Sequence, residues 1–230
     1  YYLHCQVLIK LGEYNKARTL AEEGLKKFED SNALTYILFK VAELTGDVQL
    51  DKQVWSKVKK MYYKSKSGRE GDAFDNALLG LCIKQRSPQK AYTVFQRAYK
   101  KDPAITDIYI WAGNHCSDKY EWNFALEELT KALKINPNHA EAKASLAYVL
   151  MERGGYPKAR ELVTEALKVN PNSSEALQLL SSIHLVDDRK KDSRKVLLHA
   201  LDVNPKDLFI LSQLAASYHQ ENNFEERDKY

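Results

Sequence analysis

At 230 residues, with 44% hydrophobic and 29% charged side chains, the chain has a globular balance and the length of one large domain or two ordinary ones. Thirty-five basic residues against 31 acidic ones leave a net charge of +4, too small by itself to point to a nucleic-acid or membrane partner. No apolar run approaches the roughly 20 residues of a membrane-spanning helix. Cys5, Cys82 and Cys116 are odd in number and far apart, which fits neither a disulfide framework nor a zinc site and favours a reducing, cytoplasmic compartment.

Abundant Leu, Ala, Lys and Glu with only nine glycines and six prolines predict helix throughout. In chain order, a first helix pair spans about residues 1–31. A second, irregular pair occupies about 32–71. There Val54, Trp55, Val58, Met61 and Tyr62 keep helical spacing, while Asp51 stands where other pairs carry a small residue. Ala17 and Ala91 are 74 residues apart, two periods of 34 plus six, so an insertion is expected at Ser65 to Gly71.

From residue 72 the register is regular, in units 72–105, 106–139, 140–173, 174–207 and a partial 208–230. Pro103, Pro137, Pro171 and Pro205 stand 34 residues apart, and five residues before each comes Ala98, Ala132, Ala166 or Ala200. Three residues before those alanines stand Phe95, Leu129, Val163 and Leu197; seven before them stand Ala91, Ala125, Ala159 and Ser193. Each unit therefore reads as two amphipathic helices closed by a proline. The small residues let helix axes approach closely, since a larger side chain would cost about 1–3 kcal/mol of strain. In the last unit Leu211, Leu214, Ala215, Tyr218 and Phe224 continue the pattern. Partial units at both ends, without polar caps, predict that the array continues in a longer one.

The pattern resembles the tetratricopeptide repeat family, whose signature runs large, apolar, small, large, then small, aromatic, small and proline. Tyr109, Ala112, Gly113, Cys116, Ala125, Leu129, Ala132 and Pro137 follow it, as do Leu146, Ala147, Leu150, Ala159, Val163, Ala166 and Pro171 with Lys143 departing at the first position. Leu177, Leu180, Ser181, His184, Ser193, Leu197, Ala200 and Pro205 make a third copy; Asp75, Leu78, Leu79, Cys82, Ala91, Phe95, Ala98 and Pro103 make another. The resemblance implies an all-α fold, a right-handed α-solenoid of stacked helix-turn-helix repeats over 1–230, and a protein-binding scaffold in place of an enzyme.

No residue set has catalytic spacing. Gly154-Gly155-Tyr156-Pro157 is an inter-helix turn and not a phosphate loop. His115 and Cys116, adjacent on a helix, point about 100° apart, so Cys116 reads as core, as does Cys82 one repeat earlier. His184 reads as a satisfied histidine, and neither a metal nor a cofactor is expected.

In the family the first helix of each pair lines a concave groove. Carried over, this gives Asp107, Ile110, Trp111, Asn114 and Asp118; Glu141, Ser145, Tyr148 and Glu152, with Ala144 and Met151; and Glu175, Gln178 and Leu179, with Ser182 and Leu185. The resemblance thus implies an acidic groove with apolar patches, suited to an extended peptide or helix carrying basic and apolar residues. The family's clamp for acidic chaperone tails would need cations where this chain has Ile110, Glu175 and Leu179, so such a partner is disfavoured. An alternative is RNA on the basic, aromatic stretch Lys57, Lys59, Lys60, Lys64, Lys66 and Arg69 with Tyr62 and Tyr63, which the acidic groove opposes. A third is that the array is the scaffold arm of a larger enzyme or transport machine.

Overall fold

The computed structural model describes residues 1–66 and 72–230, which form fourteen helices and, among the described residues, no strand. Two compact units divide them, Tyr1–Lys119 and Tyr120–Tyr230. The first holds α1 (Tyr2–Lys10), α2 (Tyr14–Lys27), α3 (Asn32–Thr45), α4 (Val48–Lys66), α5 (Ala73–Ile83), α6 (Pro88–Lys101) and α7 (Thr106–Ser117). The second holds α8 (Trp122–Ile135), α9 (Ala140–Glu152), α10 (Tyr156–Val169), α11 (Ser174–Val186), α12 (Lys190–Val203), α13 (Leu208–Gln220) and α14 (Phe224–Arg227). Ser65 and Lys66 continue α4; the rest of the expected insertion, 67–71, lies outside the described residues.

The prolines in register belong to a repeated turn. The residue before each is Asp102, Asn136, Asn170 or Asn204, and its Oδ1 accepts from the N–H two residues on, at 3.0, 3.1, 3.1 and 3.2 Å. A residue before proline is driven to extended backbone, so α6, α8, α10 and α12 stop there. The next helix is then capped from His139, Ser173 or Asp207, which accept from the N–H three residues ahead at 3.3, 3.4 and 3.2 Å.

The turn inside every pair but α5 and α6 holds one residue at positive φ. Gly12 and Gly46 serve in the first unit, 34 residues apart; Tyr120, Gly154, Asp188 and Asn222 serve in the second at the same interval. From Gly46 to Tyr120 is 74 residues, the same two periods plus six that separate Ala17 from Ala91.

Every helix of the first unit packs on the next, and α1, α3, α5 and α7 also touch in succession. In the second unit consecutive helices pack likewise from α8 to α14, and α9 touches α11. The small positions lie at these crossings. Ala17, Ala91 and Ala98 in the first unit, and Ala125, Ala132, Ala159, Ala166 and Ala200 in the second, expose nothing. Ser193 takes the alanine's place in α12, and its hydroxyl shares a 2.7 Å hydrogen bond with that of Ser181 on α11, both buried.

Three departures from the pattern have physical explanations. In α5, Leu79 stands at a small position, and the room is supplied one residue on by Gly80, against which Phe95 of α6 lies. Asp51 is half-buried and ion-paired with Arg86. Lys143, 8% exposed, donates at 2.6 Å to Glu165 Oε2 on α10, so the charge that breaks the signature has a partner across the helix pair.

Two outcomes are expected. A Cβ on Gly80 would sit 2.7 Å from the Phe95 ring, which is fully buried and has nowhere to swing. Gly80→Ala should therefore cost about 1–3 kcal/mol in a urea melt, and an unchanged midpoint would refute the close approach. Glu165→Gln should cost about 1–2 kcal/mol at pH 7, moderated because Glu165 is half-exposed. Lys143 holds the Glu165 carboxyl below its usual range, so that stabilisation is present at neutral pH and lost as pH falls through the depressed value. Wild type and variant should converge below pH about 4, readable from melts across the range.

Candidate partner-binding surfaces

In the second unit, α9 presents a stripe of Glu141, Ser145, Tyr148 and Glu152, each three or four residues from the next and so on one helix face. Glu141 and Ser145 are half-buried, Tyr148 is 40% exposed and Glu152 is exposed. Ala142, Ala144, Ala147 and Val149 are buried and form the packed side of the same helix. On α11, Glu175 is exposed and accepts from Ser173 Oγ at 3.3 Å. Gln178 is half-buried and donates to Ser174 Oγ at 3.2 Å and Asp207 Oδ2 at 3.5 Å, while half-buried Leu179 packs onto the apolar cluster around Ala147 and Ile183. Among the expected positions in this unit, Tyr148, Glu152, Glu175 and Leu185 are the exposed ones.

Two rings that the sequence reading did not select complete this surface. Trp122, at the start of α8, meets Tyr120 edge-on at 5.6 Å and Tyr148 at 6.4 Å. Tyr120 is 75% exposed and sits at φ 59°, where a side chain with a Cβ is strained by about 1–2 kcal/mol. The signal was available: Gly154 stands 34 residues later at the same turn, so a tyrosine in that position is anomalous.

In the first unit, Asp107, Trp111 and Asn114 of α7 are half-buried. Trp111 tilts against Phe74 of α5 at 5.4 Å, and Phe74 meets Tyr2 of α1 at 5.9 Å, an aromatic row along three first helices. Ile110, expected to line the groove, is 1% exposed and belongs to the packed side of its helix. Asp118 is exposed and ion-paired with Lys84 at 3.3 Å, which offsets its charge.

The basic stretch is divided. Lys57 donates to the backbone carbonyl of Glu29, and burial pulls its ammonium below the usual lysine range. Lys59 and Lys60 are exposed; Lys64 and Lys66 lie in the last turns of α4, and Arg69 lies outside the described residues.

The nucleophile candidates are core residues. Cys5, Cys82 and Cys116 are buried free thiols; burial pushes Cys5 and Cys82 upward, and Cys5 Sγ donates to the Ala17 carbonyl at 3.6 Å. His115 Nε2 donates at 3.0 Å to the Pro88 carbonyl, and desolvation keeps the ring neutral. His184 differs from expectation: its Nδ1 is buried without a hydrogen-bond partner among the described residues. Among those residues no group of three His, Cys, Asp or Glu could hold a metal ion, and no helix is long and apolar enough to cross a membrane.

The sequence profile of the tetratricopeptide repeat matches residues 121–183. PilF of Pseudomonas aeruginosa is similar in structure, 13% identical over 88% of this chain and 89% of its own, with a TM-score of 0.61. MamA from Desulfovibrio magneticus RS-1, residues 41 to the end, is 18% identical over 67% of this chain and 90% of its own, with a TM-score of 0.51. Both likenesses concern the fold alone. No curated protein matches the sequence.

Titration of the native protein with a thiol reagent should detect less than about one of the three cysteines within an hour, and all three after unfolding. Fast reaction of Cys116 in the folded state would reopen a nucleophilic role.

Proposed function

We propose that this chain is a tetratricopeptide repeat protein serving as a non-catalytic scaffold that holds a partner polypeptide. In the second unit the contact surface is the ring cluster Tyr120, Trp122 and Tyr148 with Glu141, Glu152 and Glu175 on the neighbouring first helices. In the first unit the accessible parts of Asp107, Trp111 and Asn114 serve the same role on their own helix.

Tyr120 carries the reading. Glycine, aspartate and asparagine occupy the equivalent turns, each tolerating positive φ better than tyrosine does. A ring that is 75% exposed gains little from folding to offset its backbone strain. Strain of that kind, retained at an exposed aromatic, is the mark of a binding position. Aromatic rings supply most of the energy of typical interfaces, and their faces attract cations. With carboxylates one turn away on α9, the matching partner is an extended segment alternating Lys or Arg with apolar side chains.

Two sets of labelled 12-residue peptides, matched in apolar content but carrying Lys and Arg or Asp and Glu, test this by anisotropy. The basic set should bind more tightly, and the preference should shrink as salt rises. Tyr120→Asn should leave stability unchanged or raise it by up to about 1 kcal/mol, yet weaken binding about fivefold or more. Glu152→Lys should lower the affinity most at low salt. Equal binding of both sets, or full affinity in Tyr120→Asn, would sink the proposal.

A further inference from the structure

The first unit contains a recess that the peptide-binding reading does not use. Trp55, Lys59, Tyr62 and Tyr63 of α4, Ile83 of α5 and Lys90 of α6 line a cavity of about 180 Å³. Cavities of about 150 Å³ accept a benzene ring, so a planar ring fits this one. Trp55, Lys59 and Tyr62 fall at successive turns of one helix face. The Trp55 ring is held in place by the Arg86 guanidinium 4.1 Å from its centre, with Arg86 itself anchored on Asp51. Tyr63 meets Tyr62 edge-on at 6.0 Å and is 69% exposed, and the Lys90 ammonium lies 6.0 Å from the Tyr62 ring centre.

The charged side chains that line this recess are of one sign. Lys59 and Lys90 are exposed and in no ion pair among the described residues. From Lys52 to the end of α4 the sequence has six lysines and no carboxylate. Helix α6 carries Lys90, Arg97, Lys100 and Lys101 and no carboxylate. The expectation against nucleic acid rested on the acidic residues of first helices and on the small net charge; these cations sit on second helices.

We infer that this recess binds single-stranded nucleic acid, with one base stacked among Tyr62, Tyr63 and Trp55 and its flanking phosphates on Lys59 and Lys90. An acidic peptide brings carboxylates without rings beside them. A nucleotide strand brings a planar ring and an anion at every step, which matches rings and ammonium groups interleaved at one site. The inference is independent of the peptide-binding reading, which rests on none of the residues that line this recess.

The probe is a fluorescein-labelled 12-mer of oligo(U), followed by anisotropy with the intact chain. It should bind at 50 mM salt and weaken about tenfold or more at 200 mM. Lys59→Gln with Lys90→Gln should lower the affinity about tenfold and flatten the salt dependence. Tyr63→Ala removes an exposed ring and no charge, and should weaken binding about fivefold or more with an unchanged melting temperature. Inorganic polyphosphate at equal charge should compete poorly. Absence of binding at 50 mM salt, wild-type affinity in Tyr63→Ala, or full displacement by polyphosphate would each overturn the inference. So would tighter binding of a Glu-Tyr repeat peptide than of oligo(U).

Discussion

A pair of helices of this length cannot bury its apolar faces alone, so each must press against the next pair, and the distance between axes decides whether it can. Side chains no larger than a methyl group at the crossings set that distance. Ala91 and Ala98 in the first unit, and Ala125, Ala132, Ala159 and Ala166 in the second, have no surface left for water. Where a residue of the signature is missing, the chain finds another way to keep the packing. Gly80 opens space for Phe95 one position late, and Lys143 takes its charge across the pair to Glu165. These adjustments keep the crossing while changing its chemistry.

The fold was legible because its two strongest signals are letters. A proline after an Asx residue ends one helix and turns the chain toward the next, and an alanine at a crossing has few substitutes. The third periodic feature is a backbone angle, and letters hide it. Gly154, Asp188 and Asn222 share a turn with Tyr120, and no property of a tyrosine side chain announces positive φ. For that reason the ring cluster at the start of α8 escaped notice while Tyr148, on a helix, did not. Ile110 failed in the opposite direction: family position put it on the open side, and burial at 1% puts it on the packed side.

The basic stretch was visible as a run of lysines, yet its grouping was not. Lys57 turns back to the Glu29 carbonyl, while Lys59 lines one recess with Lys90, which the sequence places 31 residues later. Trp55 read as core spacing and proves to be a wall, fixed by Arg86. A net charge of +4 averages over carboxylates on first helices in the second unit and ammonium groups on second helices in the first. Whole-chain charge says little about such local arrangements.

The paired hydroxyls of Ser181 and Ser193 bear on how this array can drift. Replacing either by alanine strands the other's hydroxyl away from water, at a cost of about 1–3 kcal/mol, while replacing both removes the need for a partner. The two states, both serine or both alanine, are thus separated by a less stable single change in either order. Residues 12 apart in the chain are bound to one history, and the copy that carries them departs from its neighbours by a coordinated step.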